Sequence, residues 1–213
     1  MFSSSPSTDR PSSGPAFQAD FGSGALFRRD GQRCAGLAVE FISSLQESVT
    51  ECFGDDARDV LYRCGFEWGL KELLATTTKL LRDSSPQNVT LAQLEPKFAL
   101  ETWWRTMRET GHGLAKIDCS RDGRGIVVID LRQCPAALAT PIGSHPVCHY
   151  YAGLFAGALS FLDRAERHAT EIQCRALGHS CCQFVVGPGS EVDAAEAARQ
   201  QATPAVEILR RLT

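Results

Sequence analysis

The chain has 213 residues, 43% hydrophobic and 22% charged, with a formal net charge of -3 and a pI near 6.0. That composition suits one globular domain with tails. It lacks the basic excess that recruits nucleic acid, and no apolar run approaches the ~20 residues of a membrane span.

The opening MFSSSPSTDRPSSGP has no apolar core of a secretory leader, so a cytoplasmic location is expected. Residues 1–24 are rich in Ser, Pro and Gly and read as a disordered tail, with Phe17 and Phe21 as its only large apolar groups beyond Phe2. From Cys34 to Cys52, Leu37, Phe41, Leu45 and Val49 recur at steps of four, which predicts one apolar stripe of a helix. GDD breaks it, and Asp55 or Asp56 caps a long second helix that ends at Ser84, Ser85 and Pro86. Gly65 and Gly69 share one face of that helix and predict a close approach of another backbone.

A third helix is predicted from about Leu91 to Thr110, carrying Trp103 and Trp104. Leu114–Asp118 and Gly125–Leu131 read as a hairpin around Asp122-Gly123. A loop lies between Pro135 and Pro141. HPVCHYYAGLFAGALSFLD then reads as a helix with Pro146 near its first turn and many small residues for tight packing. HATEIQCRAL and CCQFVVG predict a second hairpin through Gly178, and the C-terminal stretch a helix interrupted at Pro204. Helices and strands fall in blocks, so the predicted class is α+β. The expected division is a tail (1–24), a ligand domain (25–190) and a C-terminal helix (191–213).

The chemistry concentrates in TEIQCRALGHSCCQF. Nine cysteines without a leader argue against a disulfide framework. Cys52 and Cys64 read as small buried apolar residues. Glu171 and Cys174 are three apart, Cys182 returns across the Gly178 turn, and Cys148 opens the preceding helix. Four such donors suit a tetrahedral zinc. His149 or His179 in place of Glu171, or Cys181 in place of Cys182, would give the same chemistry. The competing readings are buried cysteines beside a salt-bridged glutamate, or a redox pair. Three thiolates and a carboxylate around Zn²⁺ leave a net charge of about -2, so donors such as Arg175, His145, His149 and His179 are expected nearby.

HPVCHYYAGLFAGALSFL followed by ATEIQCRALGHSCCQFVV resembles the 4-vinyl reductase-like domain family, whose pattern is a Cys at a helix start, a small-residue helix, E-x-x-C-x-A-x-G, and a Cys leading into F-x-V. LYRCGFEWG resembles the family's Y-x-x-G-x-x-x-G helix. The resemblance spans about Cys34 to Pro188. It implies a fold like that of the TRAPP trafficking-complex subunits, a hydrophobic ligand cavity and a homodimer. In the phenol-sensing relatives it implies structural zinc held by Cys148, Glu171, Cys174 and Cys182, with Cys181 pointing away. The phenol sensors continue into ATPase and DNA-binding modules, whereas this sequence ends at Thr213, so a sensor-type domain is expected rather than a complete activator. The bacteriochlorophyll-associated members carry an N-R-I-G-P-N-like segment where this chain reads RRDGQRCAGLAVEF, which argues against a pigment-pathway role.

The function expected is therefore binding of a small hydrophobic molecule, with Phe66, Trp68, Trp103, Trp104, His112, Tyr150, Tyr151 and Phe155 at the ligand and Arg105 as a further polar anchor. An adaptor with a protein partner is the alternative. A vinyl reductase ranks behind both, because no nucleotide-binding signature is present and a four-ligand zinc leaves no place for a catalytic water.

Overall fold

A computed structural model describes residues 16–29, 31–83, 94–143 and 145–212. It divides into two units, Met1–Gly36 and Leu37–Thr213. In the first, β1 (Phe17–Asp20), β2 (Ala25–Arg28) and β3 (Arg33–Cys34) form an antiparallel sheet in that order. The β1–β2 turn is tied by the Asp20 carboxylate, which accepts from the Gly22 and Ser23 amides and the Ser23 hydroxyl. This hairpin begins inside the segment whose composition predicts a tail; residues 1–15 lie outside the described residues.

The second unit runs α1 (Val39–Phe53), α2 (Ala57–Asp83), α3 (Pro96–Glu109), β4 (Leu114–Arg121), β5 (Ile126–Arg132), α4 (Pro135–Ala139), α5 (His149–Asp163), β6 (His168–Gln173), β7 (Cys182–Gly187), α6 (Gly189–Gln200) and α7 (Ala205–Arg211). The α+β expectation holds. The start predicted for the third helix, Leu91, lies outside the described residues. The described helix begins at Pro96, where the Glu95 carboxylate caps the Phe98 amide. The expected loop after Pro135 contains the short helix α4.

The two predicted hairpins join into one antiparallel sheet, ordered β4-β5-β7-β6. Strand β5 is the reason: IVVI is buried on both faces, as an interior strand must be. Val127, Ile129 and Leu131 face one core with Trp103, Tyr151, Phe155 and Phe184. Ile126 and Val128 face the other, with Ile172, Val185, Ala195 and Ile208. Helices α2, α3 and α5 thus supply one layer over the sheet, and α6 and α7 the opposite one.

Helices α2 and α5 make the tightest contact. A Cβ at Gly65 would lie 1.9 Å from the Tyr150 carbonyl oxygen, and one at Gly69 2.0 Å from that of Leu154. Reciprocally, Gly153 meets the Tyr62 carbonyl at 1.9 Å and Gly157 that of Phe66 at 2.0 Å. Only glycine permits this approach, so the shared face of Gly65 and Gly69 is a helix-packing face.

Two sequence expectations fail. Cys52 and Cys64 are exposed rather than buried. The apolar stripe of α1 is also largely exposed: no residue of this helix is buried, and Phe41 keeps 49% of its surface. The helix rests on the domain through partly buried Ile42 and through Gln46, whose side-chain amide donates to the Val147 carbonyl at 2.9 Å. Among the described residues, no helix is long and apolar enough to cross a membrane.

Candidate metal centre

The sheet topology assembles the site. Strand β7 lies between β5 and β6, and Leu131 pairs with Cys182 at the start of β7. Strand β6 ends at Gln173, one residue sooner than the sequence pattern predicts, so Cys174 opens a tight turn that Gly178 closes with φ +89°. A register shift between Glu171 and Gln173 adjusts the strand just before this turn. Cys148 stands at the N-cap of α5 and faces the same end of the sheet.

The Sγ atoms of Cys148, Cys174 and Cys182 and a Glu171 carboxylate oxygen all lie within 4.8 Å of one another, and all four residues are buried. Cys148 Sγ is 3.5 Å from Cys182 Sγ and 4.0 Å from Cys174 Sγ. All nine cysteines are free thiols. Glu171 Oε2 accepts from the Cys148 amide at 3.1 Å, whereas Oε1 is buried with no hydrogen-bond partner. The Arg175 amide donates to Cys182 Sγ at 3.4 Å. An orphaned carboxylate oxygen within a set of soft donors fits a bound zinc ion, whose charge would satisfy it.

The electrostatics agree. Burial, reinforced by Cys174, pushes the Glu171 carboxyl well above the usual carboxylate range. Burial and contacts with the neighbouring thiols raise the Cys148 thiol likewise. Acidic donors packed in a dry pocket resist ionising together, and a buried dication inverts that order.

His149, His179 and Cys181 are not in the group. Cys181, half-buried beside its buried neighbour Cys182, meets the Gln173 side-chain amide at 3.4 Å. One thiol that sequence reasoning missed does approach: Cys134 Sγ is 3.4 Å from Cys148 Sγ and fully buried. Its sequence neighbourhood carries no motif. The available signal was its place just past the end of β5, beside the strand that starts at Cys182.

Also missed was the network behind Glu171. Glu196 takes hydrogen bonds from Arg199 at 2.7 and 2.9 Å, from Arg58 at 3.1 Å and from the Thr170 hydroxyl at 2.6 Å. Burial works against its charge, but Arg199 and Thr170 overcome that and hold the carboxyl well below its usual range. Arg58, His149, Glu171 and Arg199 border a cleft of about 20 Å³ here.

The predicted ligand residues separate into two groups. Trp103, Trp104, Phe155 and Phe184 pack ring to ring, with centroids 5.2–6.3 Å apart. Trp104 Nε1 donates to the Gly113 carbonyl at 3.2 Å. Trp103 Nε1 is buried and has no partner. In the second group Trp68 lies 5.3 Å from His112 and 5.9 Å from Tyr150, and His112 Nδ1 is 2.9 Å from the Tyr151 hydroxyl. Phe66 packs partly buried against the core, and Arg105 is exposed.

Residues 127–188 match the family model of the 4-vinyl reductase domain. The matched segment runs from β5 to the end of β7 and contains Cys134, Cys148, Glu171, Cys174 and Cys182. The phenol-responsive sensory domain of the transcription activator PoxR, solved with phenol, aligns at TM-score 0.64 and 18% identity, covering 88% of this chain and 91% of that one. A trafficking protein particle complex subunit 3 from Naegleria fowleri, solved covalently bound to palmitic acid, aligns at 0.51 and 13% identity, covering 70% and 93%. A vinyl-4-reductase family protein from Methanocaldococcus jannaschii aligns at 0.41 and 20% identity, covering 70% and 90%. The first two share the fold of the chain. No curated protein sequence matches it. Trp68, Trp103, Trp104 and His112 lie outside the matched segment, on the elements packed over it.

Proposed function

We propose that this chain is a zinc-stapled domain that binds a small hydrophobic molecule bearing a hydrogen-bond acceptor, for sensing or carriage. The observation that carries this reading is the Trp103 N–H, buried among aromatic rings without an acceptor. A buried donor left unpaired costs about 1–3 kcal/mol. A phenol-like ligand would supply both the missing acceptor and a ring for the aromatic wall. A protein of the same fold was solved with phenol, which motivates phenol as the first probe. Zinc at Cys148, Glu171, Cys174 and Cys182 is structural in this reading, since four protein donors leave no open position.

Calorimetric titration of phenol into the zinc-loaded protein tests it, with Trp103→Phe as the comparison. Relief of the orphaned donor offsets the lost ring volume, so the unliganded variant should stay within about 1 kcal/mol of the wild type in urea melts. Its phenol affinity should fall roughly tenfold, the worth of one hydrogen bond. Equal affinity in the two proteins, or no phenol binding to either, would count against the assignment.

One observation favours a second, compatible role in assembly. Leu37, Phe41, Leu45 and Phe53 leave between 47% and 62% of their surface exposed along and just before α1. Contiguous apolar surface of this kind marks interfaces, here with a second copy or a protein partner. Sedimentation analysis should give a dimer that Phe41→Glu with Leu45→Glu converts to a monomer. A wild-type monomer at all concentrations would remove the homodimer from consideration.

A further inference from the structure

The metal centre has one sulfur more than its four expected donors. Cys134 follows β5 by two residues, caps α4, and is fully buried. Its Sγ lies 3.4 Å from that of Cys148, beside the 3.5 and 4.0 Å separations from Cys148 to Cys182 and Cys174. Zinc–thiolate bonds of about 2.3 Å in a tetrahedron give sulfur–sulfur edges of about 3.8 Å. Three sulfurs therefore surround Cys148 at distances near tetrahedral edges. Glu171 is the hard donor of the set, and a soft ion prefers thiolate. It also borders the cleft that contains Arg58 and Arg199, where a carboxylate is well received.

We propose that Cys134 is an alternative fourth donor, so that the ion is held by three fixed thiolates and by one place shared between Cys134 and Glu171. This rests on the zinc reading above. The exchange balances without any redox change. The Zn–O bond to Glu171 breaks as the Zn–S bond to Cys134 forms, and the thiol proton of Cys134 passes to the departing carboxylate. Both states leave the same charge of about -2 on the centre.

X-ray absorption at the zinc edge counts sulfurs directly in the intact protein. The wild type should show more than three sulfurs per zinc, and Cys134→Ser should return the count to three. Glu171→Gln should keep one zinc per chain with four sulfurs near 2.3 Å. The double variant should lose zinc to a chelator at least tenfold more readily than either single variant. A Glu171→Gln protein that loses its zinc, or keeps it with three sulfurs, overturns the proposal. If Glu171→Gln fails to fold, chelator competition on Cys134→Ser decides: about tenfold weaker zinc retention supports the shared place, and unchanged retention removes it. A wild type free of zinc would overturn the metal reading itself; three sulfurs and one oxygen in both wild type and Cys134→Ser would overturn only the shared place.

Discussion

Cys174→Ala should yield a chain that copurifies without zinc and shows no cooperative thermal transition above room temperature. Apparent zinc binding in small structural sites contributes about 10–16 kcal/mol near neutral pH. A domain of this size has only about 5–15 kcal/mol of net stability, so losing the ion consumes most or all of it. The substitution leaves Cys148, Cys182 and Glu171 buried around an incomplete site, where like-charged donors repel and none is neutralised. The pH sense follows from the chemistry: the donors bind as anions, binding releases protons, and acid should therefore discharge the metal. Melts followed by circular dichroism with and without chelator, paired with elemental analysis, give the answer. Cys64→Ala, at an exposed thiol, should behave as wild type. Chelated wild-type protein that melts as before would show that the thiol cluster stands without an ion.

Gly153→Ala should destabilise the domain by about 2–3 kcal/mol despite inserting a better helix former. Alanine gains about 1 kcal/mol in helix propensity. Against this, its methyl would sit 1.9 Å from the Tyr62 carbonyl oxygen, and overpacking of a rigid neighbour costs about 1–3 kcal/mol or more. The obstacle is main chain, so no rotamer change relieves it; α2 and α5 must separate. Separation also weakens the reciprocal contacts at Gly65, Gly69 and Gly157. Gly65→Ala should cost a similar amount, and the double variant clearly less than the sum, because the helices need to part only once. Urea midpoints at constant slope measure all three. A Gly153→Ala protein as stable as wild type would mean that the crossing is loosely packed.

The sequence was most legible where period and spacing carry physical meaning. Glycines four apart on one helix face foretold the α2–α5 approach, and IVVID, apolar without alternation, belongs to an interior strand. Glu171, Cys174 and Cys182 were legible because a strand and its turn fix their separation locally. Cys134 was not, because its closeness to Cys148 arises from β5 lying beside β7, a pairing no local pattern encodes. The α1 stripe shows the opposite failure. Its periodicity identified the helix correctly, but amphipathicity states which face prefers burial and not whether anything in the same unit covers it. Cys52 and Cys64 followed the same logic: a cysteine's preference for interiors yields to the helix face on which it stands.

Helix α5 begins at Cys148, beside the metal donors, and carries Phe155 two turns further on, against Trp103, Trp104 and Phe184. Its glycines hold it so close to α2 that it has no room to slide or roll alone. It therefore works as a shaft: a push on Phe155 from a newcomer among the rings travels along the axis to the thiols at its tip, and tension at the thiols travels back. Occupancy at one end is thereby converted into mechanical load at the other.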